Sequence, residues 1–217
     1  MVASVFVRVL VLVVSIVTLP AYASPLLVTV DTSVLAGSNA DIAFDLIDGG
    51  SPANTVTLSD FTTDGTTGAS SFTGDSSGVF PGVVTLGDTS FFNEYLQSTI
   101  LGTAFSFLLD SSNLAPDAVS FPDGFALFLL DPTTGLPLVT TSDPSTANSL
   151  LFWNLGTASP EGYTSDSLRI TVRSVPPAGA VPEPSTLLLL TMGLLAAAVH
   201  RSSKTGQLSL PEEPRDV

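Results

Sequence analysis

From residue 26 to residue 173 apolar residues recur at every second position in short runs, and outside residues 89–101 no long helical periodicity appears. Residues 26–30, 41–47 and 55–61 alternate apolar with polar side chains, and 83–86 follows the turn pair Pro81-Gly82. Residues 104–109 and 125–130 are continuous apolar runs, the pattern of strands covered on both faces. Residues 150–155 and 168–173 complete the set, and Asp48-Gly49-Gly50, Asp64-Gly65 and Gly135-Leu136-Pro137 supply turns between runs. Residues 89–101, "TSFFNEYLQSTIL", carry Glu94 and Gln97 and fit a short helix or an irregular edge strand; the strand is preferred. Short strands at this spacing predict an all-β fold, an antiparallel β-sandwich of jelly-roll type.

Two apolar ends flank this body. Arg8 is the sole charge before the apolar run 9–19, Pro20 breaks that run, and Ala21-Tyr22-Ala23 supplies a small-x-small cleavage site. A positive start, an apolar stretch of this length and such a site describe a secretory signal peptide over residues 1–23, cut by signal peptidase after Ala23. At the other end, residues 175–181 form a Pro/Gly-rich linker and 187–199 form an apolar segment. Those thirteen residues fall short of the roughly 20 a membrane helix needs, which predicts a marginal transmembrane helix. Arg201 and Lys204 follow it and would hold residues 205–217 on the cytoplasmic side. The chain is thus expected to be exported as a body of residues 24–174 between a signal helix and a tail anchor.

Charge narrows the partners. From Ser24 to Ala180 there are sixteen acidic residues against Arg169 and Arg173, with no lysine and no histidine. Such a surface repels phosphate backbones, so no nucleic-acid partner is expected. The protein has no cysteine, which removes thiol catalysis and thiolate metal sites.

The tail reads Val181-Pro182-Glu183-Pro184-Ser185-Thr186, then a Leu-rich segment with Gly193, then the basic pair. In this order it resembles the PEP-CTERM sorting signal of Gram-negative bacteria. The resemblance implies recognition of residues 182–204 by exosortase, with Pro182, Glu183 and Pro184 as the recognition triplet and Arg201 and Lys204 as the stop signal. It further implies a transient stay in the inner membrane, then cutting and transfer to the cell surface or an exopolysaccharide matrix. Two departures stand out: Ser202-Ser203 separates the basic residues, and the chain continues through Val217. The body also resembles small exported PEP-CTERM proteins through residues 55–65, 81–86 and "FFNEYLQ" at 91–97, and that resemblance brings no catalytic residue with it.

Catalytic chemistry finds little to work with. Gly74-Asp75-Ser76-Ser77-Gly78 matches G-x-S-x-G, but Ser76 lacks a base, since His200 in the tail is the protein's sole histidine. A turn is the better account of that stretch. Glu94 and Glu161, or either with an Asp, are the remaining raw material for a carboxylate-pair hydrolase. The expectation is therefore a non-enzymatic surface or matrix protein without a catalytic residue. A carbohydrate-binding module for exopolysaccharide is the alternative, with Trp153 (beside Asn154) or Tyr163 as the sugar platform; Trp153 lies in an apolar run and fits a core position at least as well. No cofactor is required. Structural Ca²⁺ is the one metal the residue types allow, with Asp41, Asp45 and Asp48, or Asp60 and Asp64, as oxygen ligands.

Overall fold

A computed structural model of the protein describes residues 24–157 and 159–176. The strands are β1 (Leu26–Asp31), β2 (Asn39–Ile47), β3 (Val56–Thr63), β4 (Thr66–Thr73), β5 (Ser76–Gly78), β6 (Val84–Leu86), β7 (Phe92–Ile100), β8 (Ala104–Ser111), β9 (Gly124–Leu130), β10 (Leu151–Asn154), β11 (Glu161–Gly162) and β12 (Arg169–Ser174). A 3₁₀ turn at Ser33–Leu35 is the single helical element among the described residues. Residues 1–23 and 177–217, which hold the expected signal peptide, sorting signal and tail helix, lie outside the described residues. Within the described residues no helix is long and apolar enough to cross a membrane.

One sheet runs β12-β1-β8-β3-β6-β5 and the other β11-β10-β9-β2-β7-β4. The pairings nest: β1 with β8, β2 with β7, β3 with β6, all antiparallel, with successive pairs in alternate sheets. That is a long hairpin wound over on itself, the jelly-roll arrangement expected from the sequence. β9, β10 and β11 then widen one sheet beside β2, and β12 widens the other beside β1.

Period-two alternation fixes which side chains fill the gap between the sheets. Ala40, Ile42, Phe44 and Leu46 of β2 point inward, as do Phe125, Leu127 and Leu129 of β9. Phe105, Phe107 and Leu109 of β8 come from the opposite sheet, and all belong to one hydrophobic cluster. At its centre Phe44 meets Phe107 edge-on at 5.1 Å between ring centroids and Phe80 at 5.7 Å.

Two elements differ from expectation. β8 alternates buried with half-buried residues, whereas β9 is covered on both faces from Gly124 to Leu127. On the outer face of β9 the Phe152 ring of neighbouring β10 leans over Gly124, where a Cβ would sit 3.3 Å from Phe152 Cζ. The sequence also gave no sign of β4, β5 or β11. β4, "TTGASSFT", is an edge strand with seven of its eight residues exposed, so it has no apolar face to betray it. It is held by pairing with β7 and by the Gln97 amide, which donates to the Gly68 and Ala69 carbonyls at 3.0 and 3.3 Å.

Candidate functional site

β10 sends Leu151 and Trp153 into the core and leaves Phe152 and Asn154 on the outer face of their sheet. β11 pairs with it so that Glu161 stands opposite Phe152. The ladder continues one step further through the Tyr163 N–H, which donates to the Leu150 carbonyl at 2.8 Å. The loop between β9 and β10 closes the third side. Its organiser is the buried Asp143, whose carboxylate accepts from the N–H and hydroxyl of both Ser145 and Ser149 at 2.7–3.0 Å. Burial pushes the Asp143 carboxyl up, but these four bonds outweigh it and hold it below the usual range.

The half-open pocket so formed, about 320 Å³, is lined by Asp143, Pro144, Ser145, Phe152, Asn154, Ser159, Glu161 and Tyr163. The Tyr163 hydroxyl donates to Glu161 Oε2 at 3.2 Å. Burial, then the neighbouring Glu161 and Asp143 charges, raise the Tyr163 phenol. Among the described lining residues none is basic, and the body's two arginines lie on β12 in the other sheet. The pocket thus offers two aromatic rings, hydroxyl and amide groups of both donor and acceptor type, and a carboxylate edge.

Of the expected sugar-platform residues, Tyr163 and Asn154 meet in this pocket. Trp153 does not: it is 6% exposed and part of the core cluster, because alternation along β10 turns it inward with Leu151. Phe152 takes the outward place, a position the same alternation could have revealed.

The expected calcium ligands are also redistributed. Asp41 and Asp45 share the outer face of β2, while Asp48 lies beyond its end; seven residues of extended chain at about 3.3 Å each separate Asp41 from Asp48 by roughly 23 Å. Asp48 instead joins Asp88 and Asp123, with one carboxylate oxygen from each within 4.8 Å of the others. Asp41 Oδ1 accepts from the Ser98 hydroxyl at 2.7 Å. Asp64 is tied to Thr103 Oγ1 at 2.5 Å and the Ala104 N–H at 3.0 Å, and those bonds, Thr103's first, bring its pKa down to about 2. Asp60 occupies the irregular stretch of β3, at φ 51°. The trio named from the sequence therefore does not form a single ligand set.

The Asp48–Asp88–Asp123 set is oxygen-only and suits a hard cation such as Ca²⁺ in donor type. Its geometry is fixed by the chain itself: Asp123 accepts from Gly49 N–H at 2.7 Å and from Asn54 Nδ2 at 2.8 Å, and Asp88 accepts from Asn54 N–H at 2.6 Å. Burial raises the Asp88 carboxyl against that last bond, with Asp123 and Asp48 adding to the rise. Asn54 is the hub, since its Oδ1 also accepts from Leu114 N–H and Ser112 Oγ at 2.7 and 2.8 Å. Asn54→Ala strips partners from the buried Asp123 carboxylate and from the Ser112–Leu114 segment. It should lower unfolding free energy by about 2–3 kcal/mol, measurable by urea titration.

The hydrolase candidates fare unevenly. Glu94 and Glu161 sit on β7 and β11, four strand spacings apart, or about 19 Å at roughly 4.8 Å each, too far for either glycosidase geometry. Register does place Asp45 directly opposite Glu94. Asp45, however, is 9% exposed, so its carboxyl is shielded from any substrate. Ser76 opens β5 immediately after the Gly74-Asp75 turn, and its hydroxyl donates to the Thr73 and Glu94 carbonyls at 2.9 and 2.8 Å. Its environment is that of a turn serine, and a strand follows it where a nucleophile elbow has a helix.

Residues 180–202 match the PEP-CTERM protein-sorting motif. The match spans Pro182, Glu183, Pro184 and Arg201 and stops short of Lys204. No curated protein and no solved structure matches the chain. The motif marks an exported protein that is membrane-anchored before exosortase processing.

Proposed function

We propose that this chain is a non-enzymatic component of the cell surface or extracellular matrix, delivered there once exosortase has removed its tail. The observation that carries the reading is the sorting motif at residues 180–202, joined to a strongly acidic jelly-roll body. The lack of cysteine, and of histidine and lysine in the body, supports a role without nucleophilic or proton-shuttling chemistry. A second reading, a module that holds exopolysaccharide, is favoured by the pocket where Phe152, Asn154, Glu161 and Tyr163 converge.

The test is fractionation in a host that contains exosortase, with intact-mass analysis of the recovered protein. Wild type should appear at the surface or in the medium lacking the residues beyond the Pro-Glu-Pro triplet. Pro182→Ala combined with Pro184→Ala should leave full-length chain in the inner-membrane fraction. Surface material that is full length in both cases would defeat the proposal.

A further inference from the structure

We infer that the pocket between β10, β11 and the β9–β10 loop selects one neutral sugar ring over acidic sugars; this rests on the module reading above. Size comes first. A cavity of about 320 Å³ lies at the small end of ligand sites, enough for a single ring at a chain end or branch and not for a long polymer lying in a groove.

Polarity comes next. Phe152 and Tyr163 give apolar ring faces, which suit the C–H face of a pyranose. Around them the Asn154 amide and the Ser159 hydroxyl can both give and accept hydrogen bonds, as sugar hydroxyls do, while the Ser145 and Tyr163 hydroxyls, which donate to Asp143 and Glu161, are left to accept. Glu161 adds an acceptor already aligned by the Tyr163 hydroxyl.

Charge decides between ligand classes. A uronate would bring its carboxylate against Glu161 with no basic residue among the described lining to offset it. An organic cation would engage the aromatic rings and Glu161, but it would leave the Asn154 and Ser159 donors unused. Asp143 offers it little, because both of its oxygens are taken by Ser145 and Ser149. A neutral ring uses donors, acceptors and aromatic faces together.

The experiment is retention of the full-length chain on immobilised neutral oligosaccharides of glucose, galactose and mannose, beside polygalacturonate and alginate, with tetramethylammonium as competitor. At least one neutral series should retain the protein, and the uronates should not. Phe152→Ala and Tyr163→Ala should each weaken retention about tenfold. Glu161→Gln, on an exposed strand, and Tyr163→Phe keep the test alive should the alanine variants fold poorly; each should weaken retention with an unchanged Tm. Thr171→Ala on β12 should change nothing. Retention on uronates equal to that on neutral sugars, or loss of retention to tetramethylammonium, overturns the selectivity while leaving the module reading intact. Retention on no sugar, or retention that ignores all four pocket variants, overturns both, while surface delivery can still stand.

Discussion

Phe44→Ala should lower the free energy of unfolding by about 3–5 kcal/mol, a large part of the roughly 5–15 kcal/mol typical of a whole domain. The residue has no exposed surface and stands at the middle of β2, itself between β7 and β9. Its ring touches the rings of Phe80, Tyr95 and Phe107, of which Phe107 belongs to the opposite sheet. Truncation therefore removes contacts across the sandwich as well as within one layer, and three aromatic neighbours cannot all move in to refill the space. Urea denaturation of wild type and variant measures the difference, and Phe44→Leu should cost less because it leaves a smaller cavity. A loss below about 1 kcal/mol for the alanine variant would mean that the sheets do not meet at this position.

Phe44 also shows why so much of the fold could be read from residues alone. It lies in the cleanest alternation of the chain, at 41–47, where one face must be buried for the pattern to exist. The strands without a signature in the residues are those where burial imposes no such pattern. β4 is exposed on both sides at a sheet edge, and β11 is two residues long. β7 was ambiguous for the opposite reason: its inward face carries Asn93, Gln97 and Thr99. Each is satisfied there, Asn93 by the Leu46 and Ser90 carbonyls and Thr99 by the Thr66 carbonyl. Gln97 receives the Tyr95 hydroxyl at 2.8 Å. Polar residues facing a core look like solvent positions until their partners are known, and several of those partners lie on other strands.

The pocket and the acidic set were hidden by the same non-locality. Tyr163 and Asn154 stand out as residue types, but nothing local says that Glu161 pairs opposite Phe152 or that the loop at Asp143 folds over them. Asp48, Asp88 and Asp123 come from three separate turns, and Asp123-Gly124 taken alone is ordinary turn chemistry. The sorting motif needed no fold at all, being a linear signal, which is why export was legible in the residues alone.

Asp45→Asn should stabilise the protein at alkaline pH and remove a fall in stability that wild type shows on leaving acid. Asp45 sits on the outer face of β2, opposite Glu94 on one side and Ala126 on the other. Its Oδ1 is enclosed without a hydrogen-bond partner. Burial first, and the Glu94 charge second, push its pKa up to about 7 from 3.8. Glu94 is raised in turn by burial and by Asp41. A carboxyl whose pKa is higher folded than unfolded stabilises the fold below the unfolded value and loses that contribution as pH rises through the folded one. Stability should therefore decline from about pH 4 to about pH 7, by up to about 4 kcal/mol at roughly 1.4 kcal/mol per pH unit of separation. An asparagine mimics the protonated acid at every pH, so the variant should match wild type near pH 4 and exceed it near pH 8. General self-repulsion of this acidic chain also grows with pH, and Asp41→Asn separates the two causes. That change removes one charge from the same face of the same strand, at a carboxylate that already has Ser98 as a partner. Urea titrations at pH 4, 6 and 8 should show the crossover for Asp45→Asn alone; equal pH profiles for the two variants would assign the decline to overall charge instead of to the unpartnered carboxyl in the middle of the sheet.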